Sequence, residues 1–219
     1  MSKVEPHRIA RRAVLAATQV AILAAFLVRP GFAQGNDKAD LQRIADYFNG
    51  VRSLTGRFLQ VAPDGSASEG QLHMRRPGRF RFEYDPPAPL LIVSDGSFII
   101  MEDRQLKSVD KLPLTSTPLD ILVRDRVSFD DPGLKVSRLE RGAGMLRVTL
   151  ADAGKPQDGR IVLAFTDRPL QFTGWTVIDG QGQPTAISLS KLDFNPDLPD
   201  SLFEYGPRPA QMRELQRRR

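Results

Sequence analysis

Residues 69–101, with the sequence EGQLHMRRPGRFRFEYDPPAPLLIVSDGSFIIM, contain the pattern that decides the fold. Leu72, Met74 and Arg76 alternate with polar residues, which predicts that they share one face of a β-strand. After the turn at residues 76–79, the residues that share one face of the next strand are Phe80, Phe82 and Tyr84. The first apolar face therefore ends in a guanidinium, and burying an ion costs several kcal/mol unless it is fully hydrogen-bonded. Arg76 must either lie at a rim in water or be bound by other groups.

Short alternating segments separated by Gly, Pro and Asp continue along the chain and predict an almost all-β protein. The predicted strands span residues 54–61, 68–76, 79–85, 90–94, 97–101, 106–109, 134–139, 145–150, 160–165, 172–178 and 186–194. Asp95-Gly96, between two of them, is the strongest short hairpin signal in the chain. About ten or eleven antiparallel strands joined by local turns favour one highly curved sheet or a barrel.

Two segments have a helical pattern. The first starts after Asn36 or Asp37, either of which can cap it, and ends at Gly50. Its apolar stripe consists of Leu41, Ile44, Ala45, Phe48 and Val51. The second is short, has Ser116 or Thr117 as its cap, and contains the apolar residues Leu119, Ile121, Leu122 and Val123. We expect both segments to cover one face or mouth of the sheet as a lid.

The first 33 residues have the composition of a signal peptide for export. A basic start is followed by the apolar run of residues 13–28, and small residues precede a cleavage site near Ala33. The run is shorter than the roughly 20 residues that span a bilayer comfortably, so cleavage is favoured over a retained anchor. A pair of arginines in the basic start leaves both the twin-arginine and the general secretory route open.

The excess positive charge of the chain is located at its two ends. The whole chain carries a net charge of +5, to which residues 1–33 contribute +4. Residues 207–219 form a charged tail with five arginines and one glutamate, another +4. The predicted folded domain, residues 34–206, is therefore near −3. A nucleic-acid-binding domain needs a basic face of its own, and we expect no nucleic-acid partner.

Cysteine and histidine, two residue types common in catalytic and metal sites, are scarce, whereas carboxylates are plentiful. The chain has no cysteine, which excludes disulfides, thiolate metal sites and a cysteine nucleophile. His73 is the one histidine after residue 33, and its place on a polar strand face is typical of a surface residue. A hydrolase that acts on lipid or glycan through carboxylates such as Glu69 and Glu83 is the least favoured class. We expect no enzymatic activity, no cofactor and no metal site.

The aromatic and apolar residues on the strands and the second helix have two interpretations. They can form an ordinary core, which the sequence alone favours, or line an apolar cavity that a large half-barrel cannot fill. The candidate cavity residues are Phe58, Leu72, Met74, Phe80, Phe82, Tyr84, Phe98, Leu119, Ile121, Phe165 and Trp175. Arg76 is likewise either a rim residue paired with a carboxylate such as Asp85, or a latch that binds free carbonyls at the end of a lid helix.

Six motifs follow one another along the chain at residues 54–60, 70–84, 87, 92–96, 117–122 and 203–207. In order and spacing they resemble the periplasmic outer-membrane lipoprotein carrier proteins of the LolA type. The resemblance implies an unclosed antiparallel half-barrel of about 10–11 strands, with an N-terminal helix and a short helix as a lid over an apolar cavity. Phe82 stands where the family frequently has tryptophan, and the arginine-rich tail does not correspond to a known part of the family.

The resemblance also implies a function. The cavity would receive the acyl chains of a lipoprotein from an inner-membrane lipoprotein-releasing ABC transporter, and an outer-membrane receptor would take the cargo over. The family's latch arginine before proline corresponds to Arg76, and its expected partners lie near Leu122, Val123 and Phe48. We therefore expect a monomeric periplasmic carrier of acylated lipoprotein cargo. The alternative is a related half-barrel lipid carrier or sensor for another apolar ligand of the cell envelope.

Overall fold

A computed structural model describes residues 37–206, which form one 11-stranded antiparallel sheet and two α-helices. The helices are α1, Asp37–Gly50, and α2, Asp120–Val123. The strands are β1 Ser53–Val61, β2 Ala67–Arg75, β3 Arg79–Tyr84, β4 Leu90–Asp95, β5 Phe98–Asp103, β6 Ser108–Pro113, β7 Leu134–Gly142, β8 Met145–Asp152, β9 Gly159–Thr166, β10 Gln171–Asp179 and β11 Pro184–Phe194. The predicted signal peptide and the charged tail lie outside the described residues.

The strand order is β6-β5-β4-β3-β2-β1-β11-β10-β9-β8-β7, and every neighbouring pair is antiparallel. β6 and β7 form the two free edges, so the sheet is unclosed. The predicted fold class, a mainly β half-barrel with an N-terminal helix and a short second helix, is confirmed. Within residues 37–206, neither helix has the length and apolar character that crossing a membrane would require.

The hairpin of β2 and β3 provides the centre of the concave face. Leu72 lies opposite Phe82 and Met74 opposite Phe80, and all four side chains are buried. Gly70 is needed on the same face because a Cβ there would lie 2.6 Å from the ring of Phe58. The predicted alternation is therefore confirmed, and its apolar side forms the core against α1 and the residues around α2.

The outer face of the same hairpin is also covered, which the sequence did not reveal. Arg81 in β3 is 1% exposed, and Phe203, in a 3₁₀ turn at Asp200–Phe203, is also 1% exposed. Arg75 donates hydrogen bonds to the carbonyl of Leu198 and to the carboxylate of Asp200. Its guanidinium also lies 5.2 Å from the centre of the Phe203 ring. The end of the described chain thus forms a second layer outside the sheet.

α1 is joined to the sheet by ion pairs around Asp40, which is 6% exposed. Arg43 contacts Asp40 at 2.7 Å and Asp167 at 3.1 Å, and Arg141 in β7 contacts Asp40 at 2.6 Å. Burial alone would raise the pKa of Asp40, but the hydrogen bonds from the two arginines outweigh burial and hold this pKa below its usual range. The first half of α1 is therefore attached to the part of the sheet that contains β7 and β9.

Two predicted elements have different bounds. The second helix begins only at Asp120, because the hydroxyl of Thr117 donates back to the carbonyl of Leu114 instead of capping the following turn. β6 lies at Ser108–Pro113 rather than at 106–109. Asp103 accepts hydrogen bonds from the two backbone N–H groups at residues 105 and 106, which holds these residues in a turn.

We predict that the ion pairs of Asp40 stabilise the fold in a pH-dependent way. Since the folded-state pKa lies below the ordinary value of 3.8, this contribution is present above that value and is lost as pH falls through the depressed pKa. Asp40→Asn should therefore lower the free energy of unfolding at about pH 6 and have a smaller effect at about pH 3. Urea unfolding at the two pH values measures this difference.

Asp46→Asn is the matched control, because Asp46 lies on the exposed side of the same helix. It should change the free energy of unfolding little at either pH. An equal destabilisation by Asp40→Asn at both pH values would contradict the electrostatic assignment.

Candidate functional site

Arg76 follows directly after β2 and is 6% exposed. Its Nη1 donates to the carbonyl of Phe48 at 2.8 Å, and its Nη2 donates to the carbonyl of Leu122 at 2.9 Å. Both carbonyls lie in the last turn of their helices, where regular helical hydrogen bonds end, and the carbonyl of Phe48 also accepts from the N–H of Val51 at 3.1 Å. The guanidinium also lies 5.1 Å from the centre of the Phe48 ring. One side chain thus joins the end of α1, the end of α2 and the rim of the sheet.

Within residues 37–206 no carboxylate lies at ion-pair distance from Arg76, although the more distant Asp125 favours its charge. Burial, with a smaller contribution from the cation of Arg52, lowers the pKa of Arg76 to about 10, so the side chain remains cationic at neutral pH. Hydrogen bonds to a charged group contribute about 1.5–3 kcal/mol each, while burying the charge costs several kcal/mol. These opposing terms are similar in size, so the net contribution of the Arg76 contact is small.

The turn after Arg76 makes a second contact with α2. Gly78 donates its N–H to the carbonyl of Val123 at 2.7 Å. Gly78 has φ +74°, and a Cβ there would lie 2.6 Å from the Cα of Gly96, so only glycine fits. The expected role of Val123 as a partner of Arg76 is therefore wrong, because its carbonyl is bound by the backbone of the turn.

The alternative partner proposed for Arg76 is bound elsewhere. Asp85 forms its ion pair with Arg57, whose guanidinium also lies 3.4 Å from Glu69. These groups lie on the outer face of the sheet, because Arg57 and Glu69 alternate with the inward-facing Phe58 and Gly70. The interpretation of Arg76 as a rim residue paired with Asp85 is therefore wrong.

Asn49 connects the end of α1 to the segment that follows α2, a contact that the sequence did not predict. Its Nδ2 donates to the carbonyl of Val127 at 3.0 Å, and its Oδ1 accepts from the N–H of Val127 at 2.9 Å. The side-chain amide thus satisfies both backbone groups of a residue that is 3% exposed. An asparagine near the end of a helix is common, so nothing in the sequence pointed to this pairing across 78 positions.

An apolar pocket of about 90 Å³ lies between Leu119, which directly precedes α2, and the concave face of the sheet. It is lined by Gln60, Phe82, Tyr84, Ile92, Leu119, Trp175, Val177, Thr185 and Ile187. Four of these were candidate cavity residues: Phe82, Tyr84, Leu119 and Trp175. A cavity of roughly 150 Å³ accommodates one benzene molecule, so in this structure the pocket is too small for an acyl chain.

The other inward-facing candidates belong to the packed core. Phe58, Leu72, Met74, Phe80, Ile121 and Phe165 are buried against their neighbours. Edge-to-face contacts link the aromatic rings; the ring centres of Phe58 and Phe82 are 5.1 Å apart. Some of the candidate residues thus line the apolar pocket, and others form an ordinary packed core.

Phe98 is not a cavity residue. It lies on the outer face of β5, is 38% exposed and has the ammonium group of Lys111 4.0 Å from its ring centre. Its neighbour Ile99 faces the core instead and is 3% exposed. Because side chains alternate along a strand, the turn before β5 decides which of the two faces inward, and the prediction chose the wrong phase.

The carboxylates considered for a hydrolase lie outside the pocket. Glu83 alternates with the inward-facing Phe82 and Tyr84 and contacts Arg81 on the outer face at 3.5 Å. His73, on the same face opposite Arg81, is half-buried rather than fully exposed. Within residues 37–206 no three His, Asp or Glu side chains converge as metal ligands would. Tyr84 is the only titratable residue among those that line the pocket.

A family model described as outer membrane lipoprotein carrier protein LolA matches residues 49–206. The chain belongs to this family. The match includes the β2–β3 hairpin with Arg76, the lid segment and every residue that lines the pocket. It begins at Asn49, so most of α1 precedes it.

Curated relatives match most of the chain. An outer-membrane lipoprotein carrier protein from Pseudomonas paraeruginosa is 30% identical over 197 residues, 86% of this chain and 93% of the relative. Proteins of the same name from Azotobacter vinelandii and Legionella pneumophila are 28% and 29% identical and cover 83% and 73% of this chain. The alignments span 89% and 81% of those relatives.

We predict that Asn49→Ala loosens the lid. The substitution leaves both backbone groups of Val127 without their partner, which should lower the free energy of unfolding by about 1–3 kcal/mol. Hydrogen exchange of the Val127 amide should become faster, because this N–H donates to Asn49. Gln42→Ala removes an amide from the exposed side of α1 and should leave that exchange rate unchanged. Unchanged exchange in Asn49→Ala would contradict the assignment.

Proposed function

We propose that this protein is a periplasmic carrier that binds the acyl chains of lipoproteins released from the inner membrane and delivers them to an outer-membrane receptor. Family membership and relatives named for this activity support the proposal. The observation that carries it is the Arg76 contact, which joins two helix ends to the sheet that carries the apolar pocket, with no carboxylate of the described residues at ion-pair distance. Such a contact suits a lid that must open and close repeatedly.

The cargo must open the lid to bind. The pocket of about 90 Å³ has Leu119 as one wall, so acyl chains have to move the segment around α2 to enlarge it. Each buried CH₂ group contributes about 0.8 kcal/mol. One long chain can therefore offset the loss of the hydrogen bonds that Arg76 makes in the closed state. When the chains leave, Arg76 can bind both carbonyls again and close the lid.

The proposal extends to partners and location. Residues 1–33 direct export to the periplasm, and the domain acts there as a monomer and without chemistry of its own. An inner-membrane lipoprotein-releasing ABC transporter supplies the cargo, and an outer-membrane lipoprotein receptor accepts it. Arg76 acts as the lid latch, with Phe48 and Leu122 as its partners.

The identity of the cargo is testable by mass spectrometry of ligands that co-purify with the protein from the periplasm. We expect an acylated protein. A free lipid as the bound species would instead support a related lipid carrier or a sensor, and would contradict the lipoprotein carrier.

We predict that Arg76→Leu slows the release of cargo. Without the guanidinium the closed, empty state loses both hydrogen bonds, so the open, loaded state is favoured by about fivefold or more. Transfer of an acylated lipoprotein to its receptor in a reconstituted assay measures the effect. Release at the wild-type rate would contradict the latch.

Arg76→Lys is the matched control for charge. A lysine keeps the cation but has no planar fork with which to bind Phe48 and Leu122 together. We expect release to be slowed in this variant too, by less than in Arg76→Leu. Wild-type release in Arg76→Lys would show that the charge alone, and not the bridge, closes the lid. Circular dichroism checks that both variants are folded.

A further inference from the structure

A polar pair lies at the end of the concave face away from Arg76. β1 starts at Ser53, opposite Arg75, and Gln60 lies seven residues further along the same strand. At about 3.3 Å per residue, Gln60 is roughly 20 Å from the latch end. The hydroxyl of Tyr84 in β3 donates to Oε1 of Gln60 at 2.7 Å. Both side chains line the apolar pocket.

The hydrogen bond between Tyr84 and Gln60 orients the side-chain amide of Gln60 and leaves its Nε2 as a free donor. Tyr84 is 6% exposed, and burial raises its pKa to about 12, so the hydroxyl keeps its proton. Because the hydroxyl binds Oε1, both hydrogens on Nε2 of Gln60 remain available. Within residues 37–206 no carbonyl or carboxylate accepts a hydrogen bond from this Nε2. Gln60 is half-buried, which places its amide where the pocket meets solvent.

The surroundings restrict what this donor can bind. No cationic side chain lines the pocket, and apart from Gln60 and Tyr84 its polar groups are the hydroxyl of Thr185 and the indole N–H of Trp175. Binding a carboxylate or phosphate there would bury an ion without a counter-charge, at a cost of several kcal/mol. A neutral carbonyl at the end of an apolar chain satisfies the donor without that cost.

We propose that Nε2 of Gln60 donates a hydrogen bond to the ester or amide carbonyl at the head of a bound acyl chain. This subsite rests on the acyl-binding function proposed above. It orients the cargo: the head of the chain lies at Gln60, and the hydrocarbon extends between Trp175 and Leu119 toward the core. Tyr84 acts as the positioning residue that keeps the amide oriented.

The test compares two ligands that differ only in the carbonyl. Dioctanoylglycerol carries two ester carbonyls, and the corresponding dioctyl glycerol ether carries none. Trp175 is the one tryptophan of the chain and lines the pocket, so its fluorescence reports binding of either compound to the full mature protein. One neutral hydrogen bond predicts that the wild type binds the ester about threefold to tenfold more tightly than the ether.

Gln60→Leu should abolish this preference and leave the affinity for the ether unchanged. Tyr84→Phe should reduce the preference while retaining Gln60. Gln71→Leu is the matched control, because it removes the same amide from the exposed outer face of β2 and should keep the wild-type ratio. Circular dichroism checks the fold of each variant.

The outcomes separate the two proposals. An ester-to-ether ratio in Gln60→Leu equal to that of the wild type overturns the Gln60 subsite and leaves the carrier function standing. A wild-type protein that binds neither compound overturns acyl binding itself, and the subsite with it.

Discussion

Arg76 is a buried cation held by two backbone carbonyls, those of Phe48 and Leu122, and by no carboxylate from the described part of the chain. The planar guanidinium can bind two acceptors from two separate helices at once, which the point charge of a lysine cannot do. Burying the charge of Arg76 costs free energy, and the hydrogen bonds to the two carbonyls offset that cost. A carboxylate partner would shift this balance toward permanent closure. The contact that joins the two helices to the sheet therefore has large favourable and unfavourable contributions that nearly cancel.

The hairpin that carries Arg76 is held from both sides of the sheet. Consecutive residues on a strand point to opposite faces, so Arg75 binds Leu198 and Asp200 outside while Arg76 binds the lid inside. α1 has its own attachment through the ion pairs of Asp40. Breaking the Arg76 contact leaves both of these attachments intact. On the function proposed above, the latch therefore opens without loosening the sheet or the start of α1.

Much of the architecture could be predicted because it depends on local periodicity. Alternation predicted the inward face of the β2–β3 hairpin, and the helical stripe predicted the buried side of α1, including Ile44 and Phe48. The errors occurred where the geometry of a turn sets the phase or the boundary. A turn decides that Ile99 rather than Phe98 faces inward, and another delays the start of β6. Turn geometry depends on a few backbone angles that periodicity does not report.

The sequence by itself determined that a permanent positive charge ends an apolar strand face, and that two apolar helical segments were available to cover it. It could not determine what binds that charge. Asp85 was a plausible partner by type, yet the acceptors are backbone carbonyls 28 and 46 residues away. The pairing of Asn49 with Val127 has the same origin. Every residue has a carbonyl, so such an acceptor has no signature in the sequence, and only the folded chain decides which carbonyls meet Arg76.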